Sequence, residues 1–189
     1  MLNIDGREIL NFCSNDYLGL AGHPSLVQAA KQGLDQYGVG AGASRLVCGY
    51  SHAHRRLEER LAQFTGRERA LVFSSGYMAN LALLGLAGDR HSTILCDRLN
   101  HASLIDGALL SGARLRRYRH ADPGSLAAHL EKSAAAKKRL VVTETVFSME
   151  GDLAPLPGIA EVCVRNDVQI GRATSELQSH VRISYAVFC

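Results

Sequence analysis

"FSSGYMANLALLGLAG", residues 73–88, passes from an apolar residue through a Ser-Ser-Gly turn into a long apolar stretch of helical character. A strand that ends in small residues and opens directly onto a helix leaves backbone N–H groups bare at the helix N-terminus, where an anion is favoured. The stretch therefore predicts a strand–turn–helix unit with an anion site at its turn. What flanks it decides the fold.

Downstream, β-rich runs fall at 69–73, 93–96, 114–118 and 139–144, and helical runs at 77–87, 102–111, 124–134 and 156–166. Strands separated by helices of this length form βαβ units, which predicts an α/β fold with a mostly parallel sheet and helices on both faces. Asp122-Pro123 fits a helix cap followed by a proline in the first turn. Upstream, 25–36 and 53–65 carry helical periodicity and are stopped by Gly38 and Gly66.

Composition is that of an ordinary globular domain: 189 residues, 47% hydrophobic, 21% charged, net charge +3. No apolar run reaches the ~20 residues of a membrane span, and Met1 to Leu10 lacks the pattern of a signal peptide. Arg114, Arg116, Arg117 and Arg119 form a basic cluster without an aromatic platform, which reads as a solvated strand edge and not as a nucleic-acid surface. The cysteines at 13, 48, 96, 163 and 189 are isolated, the usage of a cytoplasmic protein with reduced thiols.

Ligands of parallel sheets lie beyond the carboxyl ends of the strands. There this sequence places Ser74-Ser75-Gly76-Tyr77, then Asp97 and Asn100-His101-Ala102-Ser103, then Thr143 through Asp152 with Ser148 among them. Hydroxyls, an imidazole and a helix N-terminus suit a phosphorylated aromatic cofactor. "GVGAGA", 38–43, formally fits a dinucleotide fingerprint but follows a helix where that motif requires a strand. His52 and His54 stand at i and i+2 and point to different helix faces, which suits capping or surface roles better than a metal pair.

Five stretches, "NFCSNDYLGL", "GVGAGASRLVCGYSHAHRRLEERLAQFTG", "ALVFSSGYMAN", "DRLNHASLIDGALLSGARLRRYRHAD" and "VVTETVFSMEGDLAPL", resemble the α-oxoamine synthases, pyridoxal-phosphate enzymes of the aspartate-aminotransferase fold (fold type I). The resemblance runs from about residue 9 to 168 and implies part of the large domain of that fold. "GASRLVCGY", "SGYMAN" and "RYRHAD" are most similar to the member that joins L-alanine to a pimeloyl thioester in biotin formation. The ketobutyrate ligases and aminolevulinate synthases tend to Cys-Phe in place of Gly76-Tyr77 and Gly-Thr in place of Gly49-Tyr50.

The resemblance implies roles. Ser75, Gly76 and Tyr77 are expected to hold the cofactor phosphate, His101 to lie flat on the pyridine ring and place the amino acid, and Ser148 to bond the ring's phenolic oxygen. Asn15 and Ser44 are expected to line the substrate region, partly that of a neighbouring subunit, since the family works as homodimers. The implied reaction is a decarboxylative condensation of L-alanine with a pimeloyl thioester of coenzyme A or a carrier protein. The division implied is an N-terminal segment with substrate and dimer loops over 1–50, part of the cofactor-binding domain over 51–169, and a tail over 170–189.

In the family, the helix at 156–166 leads into an apolar strand ending Asp-Asp-Ala-His-Gly, and further on to the lysine that carries the cofactor. Lys31, Lys132, Lys137 and Lys138 match no such motif, so the chain as given is expected to be inactive alone or to act as a binding module. Residues 170–189, "IGRATSELQSHVRISYAVFC", resemble the translation of a common short-read sequencing adapter with one base lost, His-Val-Arg falling at its variable index. Val181 to Cys189 can also pass as a strand, but a non-native tail is set aside from fold reasoning, as an expression scar is.

Overall fold

In the computed structural model, residues 2–12, 14, 16, 18–174 and 185–188 are described. They fall into two compact units, one formed by the described residues up to Val72 and the other by those from Phe73 onward.

The first unit opens with strands β1 (Leu2–Ile4) and β2 (Arg7–Ile9), paired antiparallel across Asp5-Gly6. Asp5 and Gly6 have φ of 51° and 78°, the left-handed values that a two-residue hairpin turn requires. Helix α1 (Pro24–Tyr37) begins at His23, whose side chain accepts from the Ser25 N–H, and ends at Gly38. Helix α2 (His52–Thr65) ends at Gly66 in the left-handed conformation, φ 64°. His54 is a capping residue here, since its Nδ1 meets the Ser51 N–H at 3.2 Å and the Ser51 hydroxyl at 2.8 Å.

Residues 69–73 form no strand, which corrects the sequence expectation. The unit satisfies the Val72 backbone with side chains instead: its N–H donates to Glu58 at 3.0 Å and its carbonyl accepts from Arg45 at 3.4 Å. Glu58 is buried and also takes hydrogen bonds from Arg45 at 2.6 Å and the Tyr50 hydroxyl at 2.8 Å. Burial opposes ionisation of Glu58, but these donors outweigh it and hold its carboxyl below the usual range. Arg45 also lies over the Tyr50 ring, 4.5 Å from its centroid.

Beside this node the chain passes so close to itself that a Cβ on Gly49 would stand 1.9 Å from the Ala43 carbonyl oxygen. Gly49→Ala is expected to destabilise the full-length protein by about 1–3 kcal/mol through overpacking. Thermal unfolding checks this, and an unchanged Tm would contradict the close approach.

The second unit contains α3 (Gly76–Ala87), β3 (Ser92–Asp97), α4 (Ala102–Leu110), β4 (Arg114–Tyr118), α5 (Pro123–Glu131), β5 (Lys138–Glu144), α6 (Leu156–Arg165), β6 (Gln169–Thr174) and β7 (Tyr185–Phe188). The sheet order is β4-β3-β5-β6-β7, with every pair parallel except β6–β7. Strand alternation divides the core. Ile94, Cys96, Leu140 and Val142 pack with Leu84, Leu104 and Ala108 of α3 and α4. Leu95 and Val141 pack with Leu126, Leu130, Ile159 and Cys163 of α5 and α6. Helices therefore cover both faces, as the alternating pattern predicts. Asp122 caps α5 through the Ser125 N–H at 2.8 Å.

Strands β6 and β7 run through residues that the sequence reading set aside, and β7 falls within 181–189, the stretch that can pass as a strand. The outer edge of β5 presents a row of N–H and C=O groups, which the extended segment arriving from α6 satisfies through its own backbone, with Val168 and Ile170 packed against the core. Such pairing is independent of where those residues come from. Positions 175–184 and 189 of the tail lie outside the described residues.

Among the described residues Cys48, Cys96 and Cys163 are unbridged. Burial pushes the Cys96 thiol up to about 12 and Cys163 to about 11, so both are inert packing groups. Among the described residues no helix is long and apolar enough to cross a membrane, and no group of three or more His, Cys, Asp or Glu could hold a metal ion.

Candidate functional site

Helix α3 packs against α4, and its Asn80 reaches Ser103 in the first turn of α4, so the N-terminal part of α3 lies beside the carboxyl end of β3, where α4 begins. Ser75 caps α3 from extended backbone, φ −153° and ψ 156°, and its oxygen accepts from the Met78 N–H at 3.2 Å. The Ala79 N–H reaches the Ser75 carbonyl at 3.1 Å. The amides of Gly76 and Tyr77 come next in the helix's set of orphan donors, and among the described residues neither has a partner. The Ser75 hydroxyl proton is free as well. Two bare amides, a hydroxyl donor and the positive end of a helix form a donor set that fits a phosphate.

His101 caps α4. Its Nδ1 accepts from the Ser103 N–H at 3.2 Å and lies 2.8 Å from the Ser103 hydroxyl. That arrangement assigns the ring proton of the neutral tautomer to Nε2. Ser103 in turn accepts from the buried Asn80 amide of α3 at 2.9 Å. The His101 backbone N–H donates to Glu144, the last residue of β5. Glu144 is buried, and burial pushes its carboxyl up against the opposing pull of the His101 N–H. Hydrogen bonds thus fix the imidazole from α3 through Ser103 and the His101 backbone from β5.

Ser148 is exposed in the loop that follows β5. The loop is closed by Ala154 N–H to Thr145 O at 3.0 Å, Phe147 N–H to Asp152 O at 3.0 Å and Gly151 N–H to Phe147 O at 2.7 Å. The sequence-predicted Ser75, Gly76, Tyr77, His101 and Ser148 thus share one unit and one edge of its sheet. Asn15 lies outside the described residues, and Ser44 belongs to the first unit, where its carbonyl accepts from the Val47 and Gly49 N–H groups.

Sequence reasoning missed Asn80, Ser103 and Glu144, which set the His101 ring. They stand inside the recognised motifs "SGYMAN", "NHAS" and "VVTETVF", and Ser103 and Glu144 also fall at strand carboxyl ends, but nothing in the sequence gives them this orienting role. It also missed the Tyr77 hydroxyl, which donates to Asp106 and ties the start of α3 to α4.

Lys132 follows α5, and Lys137 and Lys138 stand at the start of β5. A strand of this length spans about 20 Å, so these lysines lie at the opposite, amino edge of the sheet.

Residues 7–170 match the family Aminotransferase class I and II, and the chain belongs to that family of pyridoxal-phosphate enzymes. Among its relatives, 8-amino-7-oxononanoate synthase of Methylococcus capsulatus is 63% identical over 159 residues, 84% of this chain and 41% of that one. The synthase of that name from Nitrosococcus oceani is 57% identical over 166 residues, 88% of this chain and 44% of that one. The chain thus spans about two-fifths of the length of these curated relatives. Serine palmitoyltransferase of Sphingomonas wittichii superposes with a TM-score of 0.85 at 36% identity, covering 89% of this chain and 42% of that one. The crystal structure of 8-amino-7-oxononanoate synthase from Francisella tularensis gives 0.68 at 27% identity, covering 94% and 57%.

Proposed function

We propose that this chain supplies the phosphate- and ring-binding edge of a pyridoxal-phosphate C-acyltransferase of the 8-amino-7-oxononanoate synthase type. The enzyme condenses L-alanine with a pimeloyl thioester, of coenzyme A or a carrier protein, and releases carbon dioxide. The observation that carries the reading is the pair of bare amides at Gly76 and Tyr77 on the same edge as a histidine whose ring is fixed from α3 through Ser103 and whose backbone is held by β5. The Gly76 and Tyr77 N–H groups and the Ser75 hydroxyl bind the phosphate. His101 presents its ring to the cofactor ring and donates from Nε2 toward the amino acid. The Ser148 hydroxyl donates to the phenolic oxygen. When bound, the cofactor supplies an electron sink for the substrate's α-carbon.

Asn15 and Ser44 line the substrate region in this reading, and the working enzyme is a cytoplasmic homodimer. Among the described residues no lysine stands at the carboxyl edge of the second unit, so in this reading turnover requires a lysine from beyond this segment. The full-length protein is expected to turn over L-alanine with a pimeloyl thioester. Product formation from glycine and acetyl-CoA, with none from the alanine pair, would assign it to the ketobutyrate ligases instead. No condensation with either pair, with cofactor still bound, would favour a binding module.

A further inference from the structure

One imidazole at this edge is gripped at both ends. His120, two residues beyond β4, has Nδ1 2.9 Å from the Asp97 carboxylate and Nε2 2.8 Å from that of Asp152. Its ring meets Phe147 at a centroid distance of 4.4 Å with the planes at 88°. Asp97, the last residue of β3, has no exposed surface and also accepts the N–H groups of Leu99 and Ala121, both at 2.9 Å. Ala121 is held at φ 49°, where residues with a Cβ are uncommon, and this bend carries His120 between the two carboxylates.

An ionised carboxylate only accepts hydrogen bonds, so a ring between two of them donates from both nitrogens and is an imidazolium. That one cation joins three loops. The first, 97–101, ends in His101; the second, 118–123, carries His120 itself; the third, 145–154, carries Ser148.

We propose that protonated His120 is a positioning residue that holds the Ser148 loop against the end of β3 and so makes cofactor affinity depend on pH. The proposal rests on the reading of His101 and Ser148 given above. The charged groups around the ring are Asp97 from β3, Asp152 from the 145–154 loop, and the Arg119–Asp122 pair on its own loop. Glu144 and Glu150 lie further along the same edge, and Glu144 feels the Asp97 charge. The titratable groups packed around Phe147 from the neighbouring elements are Tyr118 of β4 and Cys163 of α6, and burial raises the pKa of both, so both stay neutral where an imidazole titrates. Burial alone would lower the His120 pKa, but the hydrogen bonds and charges of Asp97 and Asp152 outweigh it and raise the value above the ordinary one. A raised imidazole contributes in full below its ordinary pKa, and the contribution is lost as pH rises through the raised value.

The test titrates pyridoxal phosphate into the full-length protein from about pH 6 to about pH 9, the range an imidazole can span. It compares wild type, His120→Gln and Asp152→Asn. Asp152 is half-exposed, so the asparagine variant keeps its fold even if the glutamine variant, which leaves Asp97 buried without its cation, does not. Wild-type affinity is expected to fall with rising pH, by about tenfold for each unit separating the clamped and released pKa of His120. Asp152→Asn is expected to lose most of that pH dependence with only a slight fall in Tm, since Asp97 still holds Nδ1.

Nitrogen NMR of the histidine rings and hydrogen exchange of 145–154 read the clamp without cofactor. Two protonated ring nitrogens on His120 at neutral pH, with loop exchange that quickens on deprotonation, are expected. A neutral His120 at that pH, or the same pH profile in wild type and Asp152→Asn, overturns the proposal. Wild-type protein that binds no cofactor at any pH overturns the reading of the site, and the NMR and exchange data then decide the clamp alone.

Discussion

In the full-length protein, His101→Ala is expected to lower kcat about a hundredfold, the scale of losing a group that orients the reacting partners. Tm is expected to fall only slightly. Two of the three bonds at this residue explain why. The backbone N–H that donates to Glu144 survives any substitution, and the side-chain cap on the Ser103 N–H is worth about 1 kcal/mol. Only the ring, fixed through Ser103 and Asn80, is irreplaceable. His101→Asn separates the two roles, because asparagine is a good N-cap without an aromatic face. It is expected to restore wild-type stability and leave kcat as low as the alanine variant does. The effect should appear in kcat more than in cofactor affinity, since only stabilisation gained in the transition state raises the rate. Near-normal turnover in both variants would remove His101 from the mechanism.

The parallel sheet was legible because it is written locally: apolar runs of strand length alternate with helical periods, and each helix has its own stop or cap. The run at 69–73 looks the same in sequence, yet a strand also needs a neighbour, and here Glu58 and Arg45 satisfy Val72 instead. The β1–β2 hairpin carries a readable signal, Asp5-Gly6, but its flanking strands are only three residues each. Strand β6 carries too short an apolar pattern to read, since backbone pairing with β5 and the packing of Val168 and Ile170 at its start place it.

At the site, the residues expected to touch the cofactor were legible from strand ends and motifs. Those that orient them were not. Asn80 meets Ser103 across 23 positions, and Glu144 meets His101 across 43, distances over which sequence periodicity says nothing. Gly49-Tyr50, used to choose among substrates, also has a packing role. Gly49 is required by the Ala43 carbonyl, and Tyr50 is bonded to Glu58 and covered by Arg45. Those two residues therefore bear on the stability of the first unit directly, and the choice of substrate is decided by kinetics.

The claim that the turn after residue 73 binds a phosphate through bare amides is tested by removing one amide and nothing else. Gly76 is the first residue of α3, where proline is well tolerated because its missing N–H has no intrahelical partner. Ser75, at φ −153° and ψ 156°, already has the extended backbone that a following proline demands. Gly76→Pro should therefore leave the helix and Tm intact while deleting a single donor to a charged ligand, worth about 1.5–3 kcal/mol. The measurement is the dissociation constant of pyridoxal phosphate for the full-length protein, wild type against Gly76→Pro, by titration at one pH and salt concentration. The account predicts a constant about 10- to 100-fold weaker in the variant at equal Tm. An unchanged constant in a folded Gly76→Pro protein would contradict it.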